Sequence, residues 1–410
     1  MPPQPTTTRT RCAIVGGGPA GMMLGLLLAR AGLAVEVLEK HGDFLRDFRG
    51  DTIHPSTLEI IYELGLIDAF LQRPHQRVER IGAVIGDTPV SIADFSRVPT
   101  HCRFIALMPQ WDFLDFIALN AKRYNGFRLR LNTEATSLVA EQGRIVGVSA
   151  KAPEGRLDIY ADLIVAADGR HSQLRKSAGL PVKDLGAPID VLWMRLAKRP
   201  GDPAQTLGRV AAGALLVMLD RGDYWQCAYV IGKGEAERIR GEGIASFRSK
   251  VAAVAPELSE RLDELKDWDD VKLLSVAVDR LTTWTRPGLL FIGDAAHAMS
   301  PIGGVGINLA IQDAVAAANL LADPLRNERL TLRHLEAVQE RRLFPTRATQ
   351  RLQVLVQNNV LKRLLASHTT PKPPLPVRLL DRFPVLQRIP ARLIGVGIRP
   401  EHVGTPQLAA

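Results

Sequence analysis

Residues Cys12–Arg30 read CAIVGGGPAGMMLGLLLAR, and this stretch decides the fold of the whole chain. The apolar run at its start predicts a buried strand, and the longer apolar run at its end predicts a helix to about Arg30. Between them, Gly16, Gly18 and Gly21 form a G-x-G-x-x-G pattern. Residues 34–39 then predict a second strand that ends on an acid. Strand, glycine loop, helix and strand in this order predict a βαβ unit of an α/β protein.

Each part of this unit has a physical role in binding a dinucleotide. Gly16 makes the tight turn out of the strand, Gly18 leaves the backbone open to a pyrophosphate, and Gly21 lets helix and strand pack closely. The helix N-terminus presents free N–H groups to the phosphates. Glu39 lies about twenty residues on, where a carboxylate accepts hydrogen bonds from ribose hydroxyls. We therefore predict a dinucleotide site; the alternative is a glycine-rich turn in another α/β protein.

Composition sets the broad class of the protein. The 410 residues are enough for two or three domains, and the net charge is +9. From residue 321 onward there are 15 basic and 6 acidic residues, which also gives +9. This excess predicts either an anionic partner or, as we favour, a solvated helical face. No nucleic-acid-binding motif is recognisable. Three widely spaced cysteines favour reduced thiols and a cytoplasmic protein, and no run approaches the roughly 18 apolar residues of a membrane span.

The loop after the second strand carries two candidate site residues, Arg49 and His54. Ser56 is a plausible N-cap for a short helix over residues 57–64. The loop therefore faces the carboxyl edge of the sheet, where ligands bind in open α/β folds. Upstream of the βαβ unit, residues 1–10 are rich in proline and threonine, and we expect them to be disordered.

Strand-rich blocks interrupt the α/β pattern twice. Between these blocks, residues 158–160 and 163–167 predict two separate strands, the second of them buried. The nucleotide-binding domain is therefore expected to be assembled from discontinuous segments, with a β-sheet domain inserted between them. We predict the first domain at residues 10–75, 105–185 and 280–325, the inserted domain at 76–104 and 186–279, and a C-terminal helical segment at 326–410.

Residues 290–308 form a second glycine-rich segment. A buried strand ends at Gly293-Asp294, and a loop containing Pro301 and Gly304 leads to a helix that begins near Gly306. The N-terminus of that helix stabilises negative charge in the crevice. The alternative is a metal or phosphate loop, but Asp294 and His297 have no third or fourth ligand at zinc-type spacing. We therefore predict no metal site.

The three segments together resemble the para-hydroxybenzoate hydroxylase family, the flavoprotein aromatic hydroxylases (group A flavoprotein monooxygenases). The family pattern G-x-G-x-x-G, then D-G, then G-D…P-x-x-G-x-G-x-N matches residues 16–21, 168–169 and 293–308. The similarity covers roughly residues 10–345. It implies an α/β fold with a Rossmann-like FAD-binding domain of the GR2 type, an inserted β-sheet substrate domain and C-terminal helices.

The resemblance also implies roles for individual residues. Glu39 would bind the adenosine ribose, Arg49 and Gln110 the pyrophosphate and ribityl region, and Asp168-Gly169 both FAD and passing NAD(P)H. Asp294 would hold the ribityl–pyrophosphate stretch, and residues 306–308 would meet the flavin pyrimidine edge. The full set of predicted cofactor-binding residues is Gly16, Gly18, Ala20, Gly21, Glu39, Lys40, Arg49, Gln110, Ala135, Asp168, Gly169, Gly293, Asp294, Gly304, Gly306, Ile307 and Asn308.

The chemistry that the resemblance implies is hydroxylation or epoxidation of an aromatic or other electron-rich small molecule. NADPH or NADH, as a transient co-substrate, would reduce FAD, and O₂ would add to give a C4a-hydroperoxide. Pro301 would lie beside the reactive carbon of the flavin. His54, in the same loop as Arg49, is a candidate proton relay or phenol partner, and the alternative for it is a plain hydrogen-bonding role within the loop. A second G-x-G-x-x-G between strand and helix is absent from the sequence, which fits transient docking of the nicotinamide.

The substrate is expected under the inserted sheet, and alternation places residues 225, 227 and 229 on one face and 224 and 226 on the other. The sequence leaves open which face meets the flavin. For each aromatic candidate, packing in the core is the competing role. The candidate substrate residues are Trp193, Arg195, Met218, Tyr224, Trp225 and Tyr229.

Two other functions are compatible with the sequence. One is an FAD-dependent reductase or dehydrogenase of isoprenoid or quinone-like lipids, for which the basic, apolar residues 378–394 would suit a membrane surface. The other is a non-catalytic FAD-binding redox sensor. We expect a monomer or homodimer with a small aromatic or heteroaromatic substrate, no nucleic-acid partner, and peripheral membrane contact as an open alternative to a docked C-terminal tail.

Overall fold

The computed structural model describes residues 6–45, 52–202 and 207–408. Its strands, numbered in chain order, are β1 (Thr6–Val15), β2 (Val35–Leu38), β3 (Thr52–Ile53), β4 (Gln76–Val78), β5 (Arg80–Ile85), β6 (Thr88–Asp94), β7 (Ile105–Leu107), β8 (Phe127–Arg130), β9 (Glu134–Glu141), β10 (Arg144–Ala152), β11 (Gly155–Ala166), β12 (Val182–Asp184), β13 (Ile189–Ala197), β14 (Leu207–Ala211), β15 (Ala214–Asp220), β16 (Tyr224–Gly232), β17 (Val271–Leu274), β18 (Asp279–Leu281), β19 (Thr285–Arg286), β20 (Leu289–Phe291) and β21 (His297–Ala298).

The α-helices are numbered in the same way. They are α1 (Pro19–Arg30), α2 (Pro55–Glu63), α3 (Ile67–Leu71), α4 (Gln110–Ala121), α5 (Gln173–Ala178), α6 (Ala236–Gly241), α7 (Ile244–Val254), α8 (Gly306–Arg326), α9 (Leu332–Val356), α10 (Lys362–Leu365), α11 (Leu375–Arg382) and α12 (Arg388–Gly395). Short 3₁₀ turns lie at Gly293–Ala295 and Ile302–Gly304, and a longer one spans Pro256–Glu264.

The first sheet confirms the predicted Rossmann-like unit. Its strand order is β19-β20-β11-β1-β2-β8, and β1 pairs in parallel with both β11 and β2. Residues 12–15 of β1 and all of β2 are buried, as expected for a parallel sheet covered on both faces. The strands come from three separated parts of the chain, so the sheet is assembled from discontinuous segments. The domain boundaries themselves remain a proposal.

Two local predictions about this sheet were wrong. Residues 6–10 are not disordered, because they extend β1 and pair with residues 157–161 of β11. The two strands predicted over residues 158–167 are one continuous strand, β11. The polar Asp162 does not interrupt it, because its carboxylate accepts a hydrogen bond from Arg11 Nη1 at 2.9 Å across the sheet. Its N-terminal half pairs in parallel with β1 on one edge and antiparallel with β10 on the other, so the same sheet continues into β10 and β9.

Three helices cover one face of the first sheet. Helices α1, α4 and α8 share a core in which Met22, Phe113 and Ala314 are fully buried. We expected no stretch that approaches a membrane span, yet residues 302–326 satisfy the length and apolarity of one. Of the most apolar window in that helix, 78% is buried inside the protein. Its apolarity is therefore explained by its position in the core.

The second sheet has the order β17-β13-β16-β15-β14-β5-β6 and two differently covered faces. All its pairs are antiparallel except β5 with β14. One face packs on α7 and the turn at Pro256–Glu264, and Cys227 and Phe247 are fully buried there. On the other face, Val191 and Val230 pack with Ile302 of the glycine-rich loop and with Leu361. This second face is therefore the one turned toward the cofactor segments.

The C-terminal helices connect the two sheets. Helix α9 packs along α8, and α11 and α12 pack against β6. Ala391 of α12 is fully buried in a cluster with Phe95, Ile105 and Leu107. The segment after α9 is thus docked on the body of the protein by apolar contacts.

Candidate functional site

The glycine turn between β1 and α1 has the shape of a phosphate cradle. A methyl group at Gly16, where φ is 109°, would lie 2.3 Å from the carbonyl oxygen of Ala167, and one at Gly21 would lie 2.0 Å from that of Gly16. A methyl group at Gly18 would meet nothing within 4 Å. The outer glycines therefore allow close packing, whereas Gly18 leaves free space at the N-terminus of α1 for an anionic group. Ala20 lies in the first turn of that helix and is buried.

The acid at the end of β2 is turned back toward this cradle. Glu39 Oε2 accepts a hydrogen bond from the backbone N–H of Gly17 at 3.0 Å, and Oε1 accepts one from that of His41 at 3.1 Å. The side chain is almost fully buried, while the neighbouring Lys40 is exposed. The carboxylate is therefore fixed beside the glycine loop, at the end of the second strand of the βαβ unit.

The segment after Asp168-Gly169 and the Gly293-Asp294 segment meet through an ion pair. Arg170 Nη2 lies 3.3 Å from Asp294 Oδ2, and Asp294 is only partly buried. Asp168 Oδ2 accepts a hydrogen bond from the backbone N–H of Leu174 at 3.3 Å. Asp168 Oδ1 is buried and has no hydrogen-bond partner among the described residues, and burial raises the pKa of this carboxyl. An acceptor of this kind is suited to a ligand hydroxyl beside Gly169.

The third motif forms a tight loop at the N-terminus of α8. Pro301 precedes the turn at Ile302–Gly304, and Gly303 and Gly304 have φ of 76° and 63°, a region that favours glycine. Gly306 is the first residue of α8, and Ile307, the second, is nearly buried. The first N–H groups of α8 therefore stay available for a ligand.

Asn308 fastens this loop to the protein. Its Oδ1 accepts hydrogen bonds from His54 N (3.0 Å) and Thr57 Oγ1 (2.7 Å). Its Nδ2 donates to the carbonyl oxygens of Thr52 and Gly304, both at 3.2 Å. The side chain is thus fully engaged inside the protein. We expected Asn308 to meet the flavin edge, but only its backbone is free to do so.

His54 has one engaged and one free ring nitrogen. Its Nδ1 lies 2.7 Å from the carbonyl oxygen of Ile394 in α12, which makes Nδ1 the protonated donor. Its Nε2 is buried without a hydrogen-bond partner among the described residues, and a methyl group at Gly304 would lie 3.4 Å from it. Burial lowers the pKa of His54 to about 4, so the ring is neutral at pH 7. His54 is also the N-cap residue of α2, which begins at Pro55 rather than after the predicted cap Ser56.

A buried charge network that we did not predict supports the G-D turn. Asp313, in the middle of α8, is fully buried, and its Oδ2 accepts from Gly293 N at 3.1 Å and lies 2.5 Å from His297 Nε2. Arg342 Nε donates to Asp313 Oδ1 at 2.9 Å, and its Nη1 reaches Glu401 at 3.4 Å. Burial acts to raise the pKa of Asp313, but His297 and Arg342 hold it below its ordinary value. An acid inside an apolar helix was the available sequence signal.

Two other predicted cofactor residues lie in neighbouring elements, and a third is not described. Gln110 is the first residue of α4 and is half-buried. Ala135 lies in β9, where it pairs with Ala150 of β10. Arg49 lies outside the described residues.

The structure separates the six predicted substrate residues into two groups. Trp193 lies on the face of the second sheet that packs with Ile302, and alternation along β13 and β16 places Arg195 and Tyr224 on the same face. The Arg195 guanidinium stacks 3.8 Å above the ring of Tyr224.

Met218, Trp225 and Tyr229 lie on the opposite face, in the core against α7. Tyr229 also lines a cavity of about 950 Å³ with Lys233 and Leu365, which includes no predicted cofactor residue. Core packing therefore accounts for these three residues, and our expectation of substrate contact passes to the other face.

Comparison with known proteins identifies the family to which the protein belongs. A family model described as "FAD binding domain" matches residues 9–352. The chain belongs to this family. The FAD-binding chain is 33% identical over 359 residues to 6-methylpretetramide 4-monooxygenase of Streptomyces rimosus, covering 86% of the chain and 84% of that protein. It is 28% identical over 310 residues to dialkyldecalin synthase of Streptomyces rugosporus, covering 74% of the chain and 63% of that longer protein.

The same fold occurs in the solved structure of OxyS anhydrotetracycline hydroxylase from Streptomyces rimosus. The TM-score is 0.72 at 21% identity, with 96% of this chain and 77% of that chain covered. The predicted resemblance to the FAD-dependent aromatic hydroxylases is thus confirmed. The protein is an FAD-dependent monooxygenase that uses NAD(P)H and O₂. This result favours the predicted monooxygenase over the reductase and the redox sensor.

The residues of the site fit FAD by their own chemistry. The space over Gly18 lies at a helix N-terminus that favours a pyrophosphate, and Glu39 offers carboxylate oxygens at the position of a ribose. The free acceptor of Asp168 and the free N–H groups of α8 complete the line of polar groups along the edge of the sheet.

Proposed function

We propose that this monooxygenase hydroxylates an aromatic ring that carries a hydroxyl group. The observation that carries the proposal is the free Nε2 of His54 beside the loop of the third motif. A neutral imidazole with Nδ1 protonated presents a hydrogen-bond acceptor at Nε2, and a phenolic O–H is the matching donor. The substrate of the 33% identical relative, 6-methylpretetramide, is the first compound to test.

We place the substrate between the second sheet and the loop at Pro301. The face of the sheet that bears Trp193 is apolar along Val217 and Ala228 and packs with Ile302 of that loop. A flat ring bound there would be shielded from water, which favours transfer of an oxygen atom over its loss. Arg195 and Tyr224, stacked on each other further along the face, would meet the polar end of the substrate.

In this arrangement His54 accepts a hydrogen bond from the substrate hydroxyl. Nε2 accepts a hydrogen bond from the phenolic hydroxyl, which increases electron density at the ring carbons ortho and para to it. The pKa of about 4 keeps Nε2 unprotonated at physiological pH, so it is available as an acceptor in every turnover. The Ile394 carbonyl holds the proton on Nδ1 and fixes the direction of the ring.

Bound FAD would supply electron transfer from NAD(P)H and activation of O₂. We propose that Gly18 and the N-terminus of α1 hold its pyrophosphate, that Glu39 binds the adenosine ribose, and that Asp294 holds the ribityl–pyrophosphate stretch. Asn308 keeps the loop at Gly304 in position through its four hydrogen bonds. The earlier assignment of Arg49 to the pyrophosphate remains part of the proposal.

Our proposal extends to localisation, oligomeric state, domain boundaries and membrane contact. We propose a cytoplasmic enzyme, monomeric or homodimeric, whose domains divide at the predicted boundaries and whose basic C-terminal segment makes peripheral membrane contact. The exposed arginines of α11 and α12 support that contact over the solvated face that the sequence favoured.

The substitution His54→Asn tests the proposed reaction. With 6-methylpretetramide or a panel of phenols, we expect product formation to fall about 10- to 100-fold, because losing the hydrogen-bond partner of a buried hydroxyl costs about 1–3 kcal/mol. Oxidation of NADPH should continue, with the oxygen appearing as hydrogen peroxide. Label from ¹⁸O₂ in the product, measured per NADPH consumed, reports the coupling.

The matched control is His368→Asn, an exposed histidine of the C-terminal segment, which should leave the coupling unchanged. If His54→Asn retains wild-type coupling, the assignment of His54 is wrong. If the wild-type enzyme incorporates no label with any phenol, the proposed substrate class is wrong.

A further inference from the structure

The outer faces of α11 and α12 carry two apolar stripes. Six side chains, spaced four residues apart in each of two rows, are between 40% and 65% exposed. A spacing of four residues places Leu375 and Leu379 on one side of α11, and Ile389 and Leu393 on one side of α12. Phe383 follows the end of α11, and Val385 lies in the 3₁₀ turn Pro384–Gln387 that joins the two helices. The first row is Leu375, Leu379 and Phe383, and the second is Val385, Ile389 and Leu393.

Each apolar stripe is bordered by a pair of arginines with the same spacing. Arg378 and Arg382 border the first row, and Arg388 and Arg392 border the second. All four are exposed, and none has an ion-pair partner among the described residues. Between residues 362 and 398 there are seven basic residues and one acid. That acid, Asp381, accepts a hydrogen bond from Ser91 N and so is held toward β6.

The inner faces of the same helices are firmly attached. Ala391 is fully buried against the cluster with Phe95, and Val377 packs beside Ile85 and Val90. The buried Gln387 bridges the Leu380 carbonyl oxygen and the Ser91 hydroxyl. The stripes therefore belong to a fixed, two-helix surface, which no described segment covers. Contiguous apolar patches of this kind mark interaction sites in soluble proteins.

We propose that this surface, made by the outer faces of α11 and α12, docks on an anionic lipid bilayer. Alternating apolar and arginine rows match a bilayer interface, because the apolar side chains enter the acyl boundary while the guanidinium groups stay among the phosphates. Seven basic residues against one acid complement anionic headgroups. A second copy of the chain would instead bring the same positive charge against it, which disfavours self-association.

The position of α12 relates this surface to the active site. Ile394 is a neighbour of Leu393 on α12, and its carbonyl oxygen contacts His54. A methyl group at Gly303 would lie 3.9 Å from the Ile394 side chain. Docking would therefore place the bilayer on one side of α12, with His54 and the proposed substrate site on the other side. If the proposed function holds, on which this step rests, the substrate class narrows to aromatic compounds that partition into membranes.

Vesicle sedimentation tests the docking surface without any turnover. The FAD-loaded enzyme is mixed with vesicles of phosphatidylcholine alone or of phosphatidylcholine and phosphatidylglycerol in equal parts. We expect binding to the phosphatidylglycerol vesicles that weakens at high salt, and little binding to the neutral ones. Leu379→Asp/Ile389→Asp and, separately, Arg378→Gln/Arg388→Gln should each weaken binding about tenfold or more, since each cation near the surface contributes about fivefold.

The control variant is Leu119→Asp, which replaces a leucine that is 60% exposed on α4. It should bind as the wild type does, and flavin absorbance and melting temperature verify that every variant is folded. The proposal would be overturned if the wild type bound neutral vesicles as strongly as phosphatidylglycerol vesicles. It would also be overturned if Leu119→Asp weakened binding as much as Leu379→Asp/Ile389→Asp does. So would a wild-type dimer in light scattering that Leu379→Asp/Ile389→Asp dissociates, because the occupant would then be a second copy.

Discussion

Gly16 and Gly18 are two residues apart, yet their missing side chains serve different purposes. At Gly16 a methyl group would collide with the Ala167 carbonyl, so the apoprotein itself requires glycine. At Gly18 the backbone is extended and the space is open, so the apoprotein does not require glycine. Only a ligand in that space would restrict the residue. His54 is similar, because the folded chain satisfies Nδ1 and leaves Nε2 for another molecule.

The substitution Gly18→Ala should therefore separate stability from cofactor binding. We expect the free energy of unfolding of the apoprotein to change by about 1 kcal/mol or less, the usual effect at a helix N-cap. FAD affinity should fall at least about tenfold, because a methyl group would occupy the place of the pyrophosphate. Fluorescence titration with FAD measures the affinity. Gly241→Ala, at another open position, should alter neither quantity greatly; equal FAD affinity in Gly18→Ala would show that the cradle lies elsewhere.

Burial of His54 predicts a dependence of stability on pH. The folded-state pKa is about 4 and the unfolded value 6.5, so between these pH values the unfolded chain binds a proton that the folded chain does not. The contribution to stability is complete above pH 6.5 and is lost as the pH falls toward 4. From pH 7 to pH 5 we expect the wild type to lose about 2 kcal/mol more than His54→Asn.

Urea unfolding of the FAD-loaded enzyme at the two pH values measures the difference. His368→Asn should follow the wild type, because this histidine is exposed. Identical pH dependence in the wild type and His54→Asn would mean that His54 titrates normally in the folded protein.

At the scale of elements, α8 has three functions along one helix. Its N-terminus ends the loop at Gly304, its apolar side fills the core, and Asp313 in its middle holds the Gly293 N–H. Arg342 of α9 and Glu401 continue the network beyond α8. A buried charge is costly unless it is paired, so these residues depend on one another.

The substitution Arg342→Met should leave the Asp313 carboxylate with an unpaired oxygen. We expect a loss of about 3–5 kcal/mol in the free energy of unfolding, the usual cost of breaking a buried ion pair. Weaker FAD retention should accompany it, because Gly293 shares that carboxylate. The comparison is Arg329→Met, which removes a pair with Asp323 whose side chains are 68% and 65% exposed and should cost less than about 1 kcal/mol. Similar losses in both variants, measured by urea unfolding, would refute the role of the network.

The sequence was sufficient for elements whose pattern is local. The βαβ unit follows from glycine spacing and apolar runs, and α1 ends at Arg30 as predicted. The sequence did not predict which face of β16 meets the loop at Ile302, because alternation defines two faces without saying what covers each. The contact of His54 with Ile394 joins residues 340 positions apart, and no local pattern predicts it. Asp313 was recognisable only as an acid in an apolar helix; its partners became known from the packing.

At the scale of the whole molecule, the C-terminal region returns to the first helices. Arg30 donates a hydrogen bond to the Thr405 carbonyl at 2.6 Å, and its own carbonyl accepts one from Leu408 N at 3.0 Å. His402 pairs with Glu63 of α2. Of the arginines after residue 321, Arg341 and Arg342 pair with Glu401, whereas those on α11 and α12 stay exposed. Net charge alone does not distinguish these two uses.

This return of the chain has a consequence during biosynthesis. Glu401 completes the network around Asp313, and it leaves the ribosome after every strand of both sheets. At about 5–20 residues per second, roughly 20–80 s separate synthesis of β1 from that of the residues that close its helical layer. Helix α1 can pack on α4 and then on α8 within that interval, while the network around Asp313 still lacks Glu401. Cellular factors that shield unfinished domains would therefore influence the yield of folded enzyme.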